Sequence, residues 1–205
     1  MGNKVSISPL ANYEASSTMF NKNELSELRV KFLNRSDDAN SINLDKFIRK
    51  SNIESDYIQK HVLTKFFAVC DTKRDNIWDF EEYVCVVALF RYSTLEDRIK
   101  LVYFMYLESN KSSVLLKENF RQIIVDCLVC LRKVSDEDRD IVLYNGTTEK
   151  WVQELQPLSL AMTESNLLLY SNQVNKIDLN DFISFAKSEG SLAGLYEVFV
   201  QSIDS

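Results

Sequence analysis

Between residues 71 and 82 the chain reads DTKRDNIWDFEE, and four carboxylates, Asp71, Asp75, Asp79 and Glu82, stand at its first, fifth, ninth and twelfth places. Oxygen atoms gathered from so short a turn suit a hard cation. Calcium takes about six to eight such ligands, and a glutamate at the last place can give two oxygens at once. The backbone carbonyl of Ile77, at the seventh place, completes a candidate metal set of Asp71, Asp75, Ile77, Asp79 and Glu82, with one calcium ion as its cofactor. Two residues depart from this chemistry. Lys73 puts an ammonium at the third place, where an oxygen ligand is wanted and where a positive charge weakens a divalent cation. Asn76 stands at the sixth place, where glycine serves a left-handed turn that asparagine also tolerates.

A loop of this kind works only if a helix enters it and another leaves it. Tyr57, Ile58, Val62, Phe66 and Phe67 supply an apolar stripe before it, and Tyr83, Val84, Val87 and Ala88 supply one after it. Aligning other apolar anchors with Trp78 gives three further frames, starting at residues 35, 107 and 170. The first runs from Arg35 to Lys46, with Asp37, Ala39, Ser41 and Asn43 at the intermediate ligand places, so both of its ends carry a cation. In the third, Leu107 replaces the first acid and Lys111 an inner ligand, leaving Glu118 as a ligand at the twelfth place. The fourth has Tyr170, Asn172, Val174, the Lys176 carbonyl, Asp178 and Asp181. The starts at 35, 71 and 107 are evenly spaced, which marks an internal repeat. Asparagine recurs at the sixth place as Asn40, Asn76 and Asn175, where positive φ is required. Short strands at the apolar anchors are expected to pair the loops two by two, Ile42 with Trp78 and Val114 with Ile177.

The expected architecture is therefore all-α, with two lobes of paired helix–loop–helix units. Residues 1–22 read as a flexible leader, 23–92 as the first lobe, 93–190 as the second, and 191–205 as a terminal amphipathic helix carrying Leu192, Leu195, Tyr196, Phe199 and Ile203. A capping box of Ser93 and Glu96 opens the second lobe. An insertion at about 135–156 lengthens the step to the fourth frame. At the start, MGNKVS fits the pattern for myristoylation of Gly2.

The 205 residues, 45% of them hydrophobic and 11% aromatic, suffice for a buried core. A net charge of −6 without a long basic run argues against a nucleic-acid binder. Two prolines and four glycines favour long helices. Cys70, Cys85, Cys127 and Cys130 sit in apolar helical runs with no secretory signal before them, as reduced thiols of an intracellular protein do. No stretch approaches the ~20 apolar residues of a membrane span. A single histidine and the lack of a glycine-rich phosphate loop leave no basis for an enzyme.

The DTKRDNIWDFEE loop resembles an EF-hand. With the Gly2 signature, the repeated units and the run DFEEYV, the chain resembles the calcineurin B and neuronal calcium sensor group of that superfamily over residues 1–130 and 160–187. It is also similar in layout to the myristoylated EF-hand module of TLDc-domain proteins. The resemblance implies a regulatory or adaptor protein, with no catalysis, whose groove receives an amphipathic helix of a protein partner. It also implies a peripheral place on the cytosolic face of a membrane through the myristoyl chain. The degenerate frames lower the calcium response expected of it. The alternatives are a true calcium sensor that uses the second loop, and a light-chain-like subunit of a larger assembly.

Overall fold

The computed structural model describes residues 12–36, 40–51, 57–107, 113–126 and 175–189. These residues are mostly helical, with a few very short strands. They fall into two compact units, one up to Met105 and the other from Tyr106 onward.

The first unit opens with α1 (Tyr13–Ser17) and α2 (Lys22–Arg35). The expected flexible leader is thus corrected over residues 12–22. Asn12 caps α1 by accepting from the Glu14 amide, Ser16 and Phe20 are buried, and the Phe20 ring meets Tyr92 edge-on with centroids 5.2 Å apart. An aromatic anchor and a side-chain cap give this segment the contacts that a solvated leader lacks. Asn21 and Glu24 then form a reciprocal capping box that starts α2. Leu28 and Phe32 are the apolar positions that α2 buries, whereas Leu33 is 43% exposed. Gly2 lies outside the described residues, as do the 135–156 insertion and the 191–205 segment.

Strand β1 (Ile42–Asn43) leads into α3 (Leu44–Lys50), and α4 (Tyr57–Cys70) leads through the second loop to β2 (Ile77–Trp78) and α5 (Phe80–Tyr92). The two strands are antiparallel, with Ile42 opposite Trp78 and Asn43 opposite Ile77. Trp78 is the centre of the packing. Its ring stacks on Phe67 at 4.6 Å and 8°, lies 4.9 Å from Phe47, meets Phe66 edge-on, and its Nε1–H donates to the Phe67 carbonyl at 3.1 Å. At 1% exposure this ring joins both strands to α3 and α4.

Helix α6 (Leu95–Met105) completes the unit and packs on α4. Its cap is Thr94 with Asp97, one residue later than the Ser93 and Glu96 box expected. The Thr94 amide donates to Asp97 Oδ2 and the Asp97 amide to Thr94 Oγ1, each at 3.2 Å. Ser93 serves instead as acceptor for Arg98, whose other nitrogen holds the Phe90 carbonyl at 2.9 Å and so fixes the joint between α5 and α6.

In the second unit β3 (Leu115–Leu116) pairs antiparallel with β4 (Lys176–Ile177), and Leu115, not Val114, stands opposite Ile177. Side chains alternate along a strand, so a shift of one residue decides which of two neighbours enters the core. Leu115 is fully buried, and Val114 is only half-buried. Helix α7 (117–126) and helix α8 (Leu179–Glu189) follow the strands and meet through Phe120, which contacts Phe185 at 5.1 Å and Phe182 at 6.3 Å. Within the same unit Tyr106 donates to buried Asp126 at 2.6 Å, and Gln122 satisfies the other oxygen of that carboxylate at 2.7 Å. A buried carboxylate with both oxygens bonded avoids the desolvation cost of an unpaired one.

Candidate functional site

The second loop is held at both ends by regular structure, because α4 ends at Cys70 and α5 begins at Phe80 behind Asp79. Two residues take positive φ, Arg74 at 60° and Asn76 at 64°, and they turn the chain back on itself. Asn40 adopts 54° at the corresponding place of the first loop. Asparagine reaches this region at little cost, while arginine there needs local hydrogen bonds to hold it.

Asp71 provides them. Its Oδ1 accepts from the Arg74 amide at 2.6 Å and the Asp75 amide at 3.3 Å, and its Oδ2 from the Asn76 amide at 2.8 Å. Glu82 closes the loop from the far side. Its Oε1 accepts from the Thr72 amide at 2.8 Å, the Thr72 hydroxyl at 2.9 Å and the Lys73 amide at 3.0 Å, and its Oε2 accepts from the Asp79 amide at 3.2 Å. Asp79 returns that bond by accepting from the Glu82 amide at 3.0 Å. The carboxylates that could hold a cation thus already organise the backbone, each backbone bond being charge-assisted.

Asp71, Asp75 and Glu82 each offer one carboxylate oxygen, and these oxygens lie within 4.8 Å of one another. Asp71 and Glu82 are buried and Asp75 is exposed, so the cluster opens to solvent on one side. Asp79 is turned to another task. It forms an ion pair with Lys73, whose ammonium also reaches Glu81 at 3.5 Å. Burial alone would push the Asp79 carboxyl up, but the Lys73 ammonium and the Glu82 and Glu81 amides hold it below the usual carboxylate range. Hydrogen bonding to Asp79 correspondingly raises Lys73. Ile77 lies in β2, with its amide donated to Asp75 Oδ1 at 3.2 Å.

Three clustered carboxylate oxygens suit a hard, oxygen-seeking cation in kind. They fall short of the about six to eight ligands that calcium takes, even with the Ile77 carbonyl added. Thr72 and Glu81 are partners that the ligand pattern of the loop does not point to. Thr72 occupies a place without a ligand role, and the reach of Lys73 toward Glu81 depends on the turn geometry.

The other frames are poorer. In the first loop Lys46 donates to the Ser36 carbonyl, linking α3 to the end of α2, and Asn43 caps α3 through the Lys46 amide at 2.9 Å. The strand register moves the third frame on by one residue, to a start at 108. Glu118 then falls at the eleventh place and Asn119 at the twelfth, where its side-chain Nδ2 donates to the Tyr106 carbonyl at 2.8 Å. The third frame therefore loses its terminal glutamate, and the even spacing of the starts is lost with it. In the fourth, Asp178 accepts from the Asp181 amide at 2.9 Å, and residues 170–174 lie outside the described residues.

Cys70 and Cys85 flank the second loop as free thiols. Burial, with Cys85 and Glu82 nearby, pushes the Cys70 thiol up, and burial also raises Cys85 against a hydrogen bond from Ser16. Both are protonated, weakly nucleophilic groups at neutral pH. Cys127 and Cys130 lie outside the described residues. Among the described residues no helix is long and apolar enough to cross a membrane. No protein-family model matches the chain, and no curated protein matches it either.

Proposed function

We propose that the protein is a regulatory or adaptor protein of EF-hand type, which binds an amphipathic helix of a protein partner with little dependence on calcium. The observation that carries this reading is the second loop, closed by its own donors while its strand is paired to that of the first loop through Ile42 and Trp78. A calcium sensor uses the ion to fix its loop and open its helix pair. Here Glu82 is bound to Thr72 and Lys73, and Asp79 to Lys73, so donors of the chain itself already engage the carboxylates that would otherwise meet the ion. The helix pair is then constitutive, and its ligand is selected by apolar fit at a groove. The terminal stripe of residues 191–203 has helix-in-groove spacing and is a second candidate occupant from the chain itself.

The resemblance to calcineurin B and neuronal calcium sensors further supports Gly2 as a lipidation site. One myristoyl chain gives reversible membrane binding with an association constant on the order of 10⁴ per molar, so membrane residence also requires the partner. The Asp71, Asp75 and Glu82 cluster favours a second reading, in which calcium binds weakly at this loop and modulates the adaptor.

Affinity capture of partners from cell extract, in calcium and in chelator, tests the proposal. The same amphipathic-helix partner should be recovered in both. Recovery in calcium alone would move the protein to the sensor reading, and recovery of no helical partner in either would remove the adaptor reading. In cells, Gly2→Ala should lower membrane recovery without changing thermal stability, and full retention of that variant would exclude the lipid anchor.

A further inference from the structure

We propose that residues 12–20 form a detachable cover over one stripe of α5, the exit helix of the second loop, and that an amphipathic helix of a partner takes the place of this cover. The exchange rests on the adaptor reading, whereas the cover stands on the packing of α1 alone. Helix α1 lies along α5. Its buried Ser16 hydroxyl bonds Cys85, and the buried Phe20 ring meets Tyr92. Cys85 and Tyr92 stand seven residues apart on α5, about two turns, so they share a face with Ala88 and Leu89 between them. Ala88 and Leu89 are buried, and Cys85 is half-buried.

An apolar stripe of this length needs a cover, but this one is weakly fastened. Between Ser16 and Phe20 the chain turns Thr18 and Met19 to solvent. The Ser17 and Thr18 hydroxyls donate to the Glu14 and Ala15 carbonyls at 3.1 and 2.7 Å, within the segment itself. The bond from Ser16 ends on a thiol, which is a weak acceptor. A helix of five residues has no stability of its own, because nucleation costs more than so few bonds restore. The segment therefore leaves α5 by unravelling as a local unit, with the cluster around Trp78 still in place. Toward Phe20 the stripe comes into the open, where Tyr92 is 43% and the next apolar residue, Leu95, 57% exposed. These groups give an incoming helix a first contact at the edge of the cover. The spacing of Cys85, Ala88, Leu89 and Tyr92 is that of the anchors along which such a helix lies.

Iodoacetamide labelling of Cys85 in the full chain, read by peptide mass, reports release of the cover, because the half-buried thiol then meets solvent and sheds part of the burial that raises it. In the wild type the labelling rate should hardly change at low urea, as a local opening requires, and should rise steeply only where the whole unit unfolds. Asn12→Ala removes the exposed cap of α1 without touching the core, and should quicken labelling about fivefold. Phe20→Ala removes the buried ring that anchors the segment, and should quicken it about tenfold or more. A steep urea dependence from the outset, or no acceleration in either variant, overturns the cover. The second arm uses a synthetic leucine–lysine amphipathic peptide, cationic to suit a chain of net charge −6. It should bind Phe20→Ala about tenfold more tightly than the wild type, whose cover competes with it, and should protect Cys85 of that variant from the label. Equal binding to both chains with Cys85 still open to the label places the peptide elsewhere and overturns the exchange. Accelerated labelling in both variants without peptide binding to any of the chains supports the cover and removes the adaptor reading instead.

Discussion

Lys73 and Asp79, six residues apart, are joined as an ion pair across the second loop. The ammonium lies at a place where an oxygen ligand would serve a metal, and it engages the one carboxylate of the four that stays out of the acidic cluster. Lys73 is therefore both a missing ligand and a competing cation. Its side chain is 47% exposed, so the pair adds little to overall stability.

Replacing that lysine should convert the loop. Lys73→Asp removes the competing charge, frees Asp79 and adds a carboxylate at the third place. Calcium affinity measured by calorimetry should rise by about tenfold or more, since each unit charge near a divalent ion acts strongly at short range. One ion should bind per chain. A second bound ion would show that another frame holds metal, and unchanged affinity would clear Lys73 as the obstacle.

The same pair predicts a pH dependence. The folded chain holds Asp79 below its ordinary pKa, so its contribution to stability is complete above the unfolded carboxylate range and is lost as pH falls through the depressed folded value. Lys73 is raised, so its contribution is complete below the ordinary lysine range and is lost as pH rises through the elevated value. Asp79→Asn keeps a side-chain cap for α5 while removing the charge. Melting curves of wild type and this variant should differ by a constant amount near neutrality and converge in acid. A difference that persists in strong acid would trace to the cap or the packing and not to the ion pair.

What could be read from the chain and what could not divide along physical lines. The helices around the second loop were legible because their apolar residues recur with helical period, and Ile42 opposite Trp78 was legible because a large apolar anchor identifies each strand. Asn40 and Asn76 announced their positive φ by residue type, whereas Arg74 did not, since its conformation follows from bonds to Asp71. Val114, Leu115 and Leu116 are three successive apolar residues, and such a run holds no alternation from which to choose a register. The α1 segment escaped because a five-residue helix has too few positions for a period, and its anchor is the single ring of Phe20. At the site, the carboxylates were visible by spacing. Their occupation by amides and by Lys73 was not, because it depends on where the backbone N–H groups point.

The strand register of the second unit is open to direct test. Leu115 faces Ile177 and is fully buried, while its neighbour Val114 is half-buried. Leu115→Asp should unfold the second unit or destabilise it severely, because a carboxylate would enter an apolar core without a partner. Val114→Asp should cost far less. Urea unfolding of the two variants measures the contrast, and the reverse order of severity would restore the frame that begins at residue 107.

Trp78 offers the sharpest measure of what holds the first unit together. Its indole stacks on Phe67, packs against Phe47 and Phe66, and donates to the Phe67 carbonyl, while its backbone pairs with Ile42. Truncation to alanine should cost about 3–5 kcal/mol, the range for loss of a large buried aromatic side chain. Trp78→Phe retains a ring for the stack and forfeits the Nε1–H bond, leaving the Phe67 carbonyl one donor short. A loss of about 1–3 kcal/mol is then expected, from the unmade hydrogen bond together with the smaller ring. Denaturant unfolding followed by far-ultraviolet circular dichroism measures both variants without relying on the tryptophan itself. If Trp78→Phe matched Trp78→Ala, the hydrogen bond would outweigh the stacked ring. If neither variant lost stability, the two loops would be held together by contacts other than the cluster around Trp78.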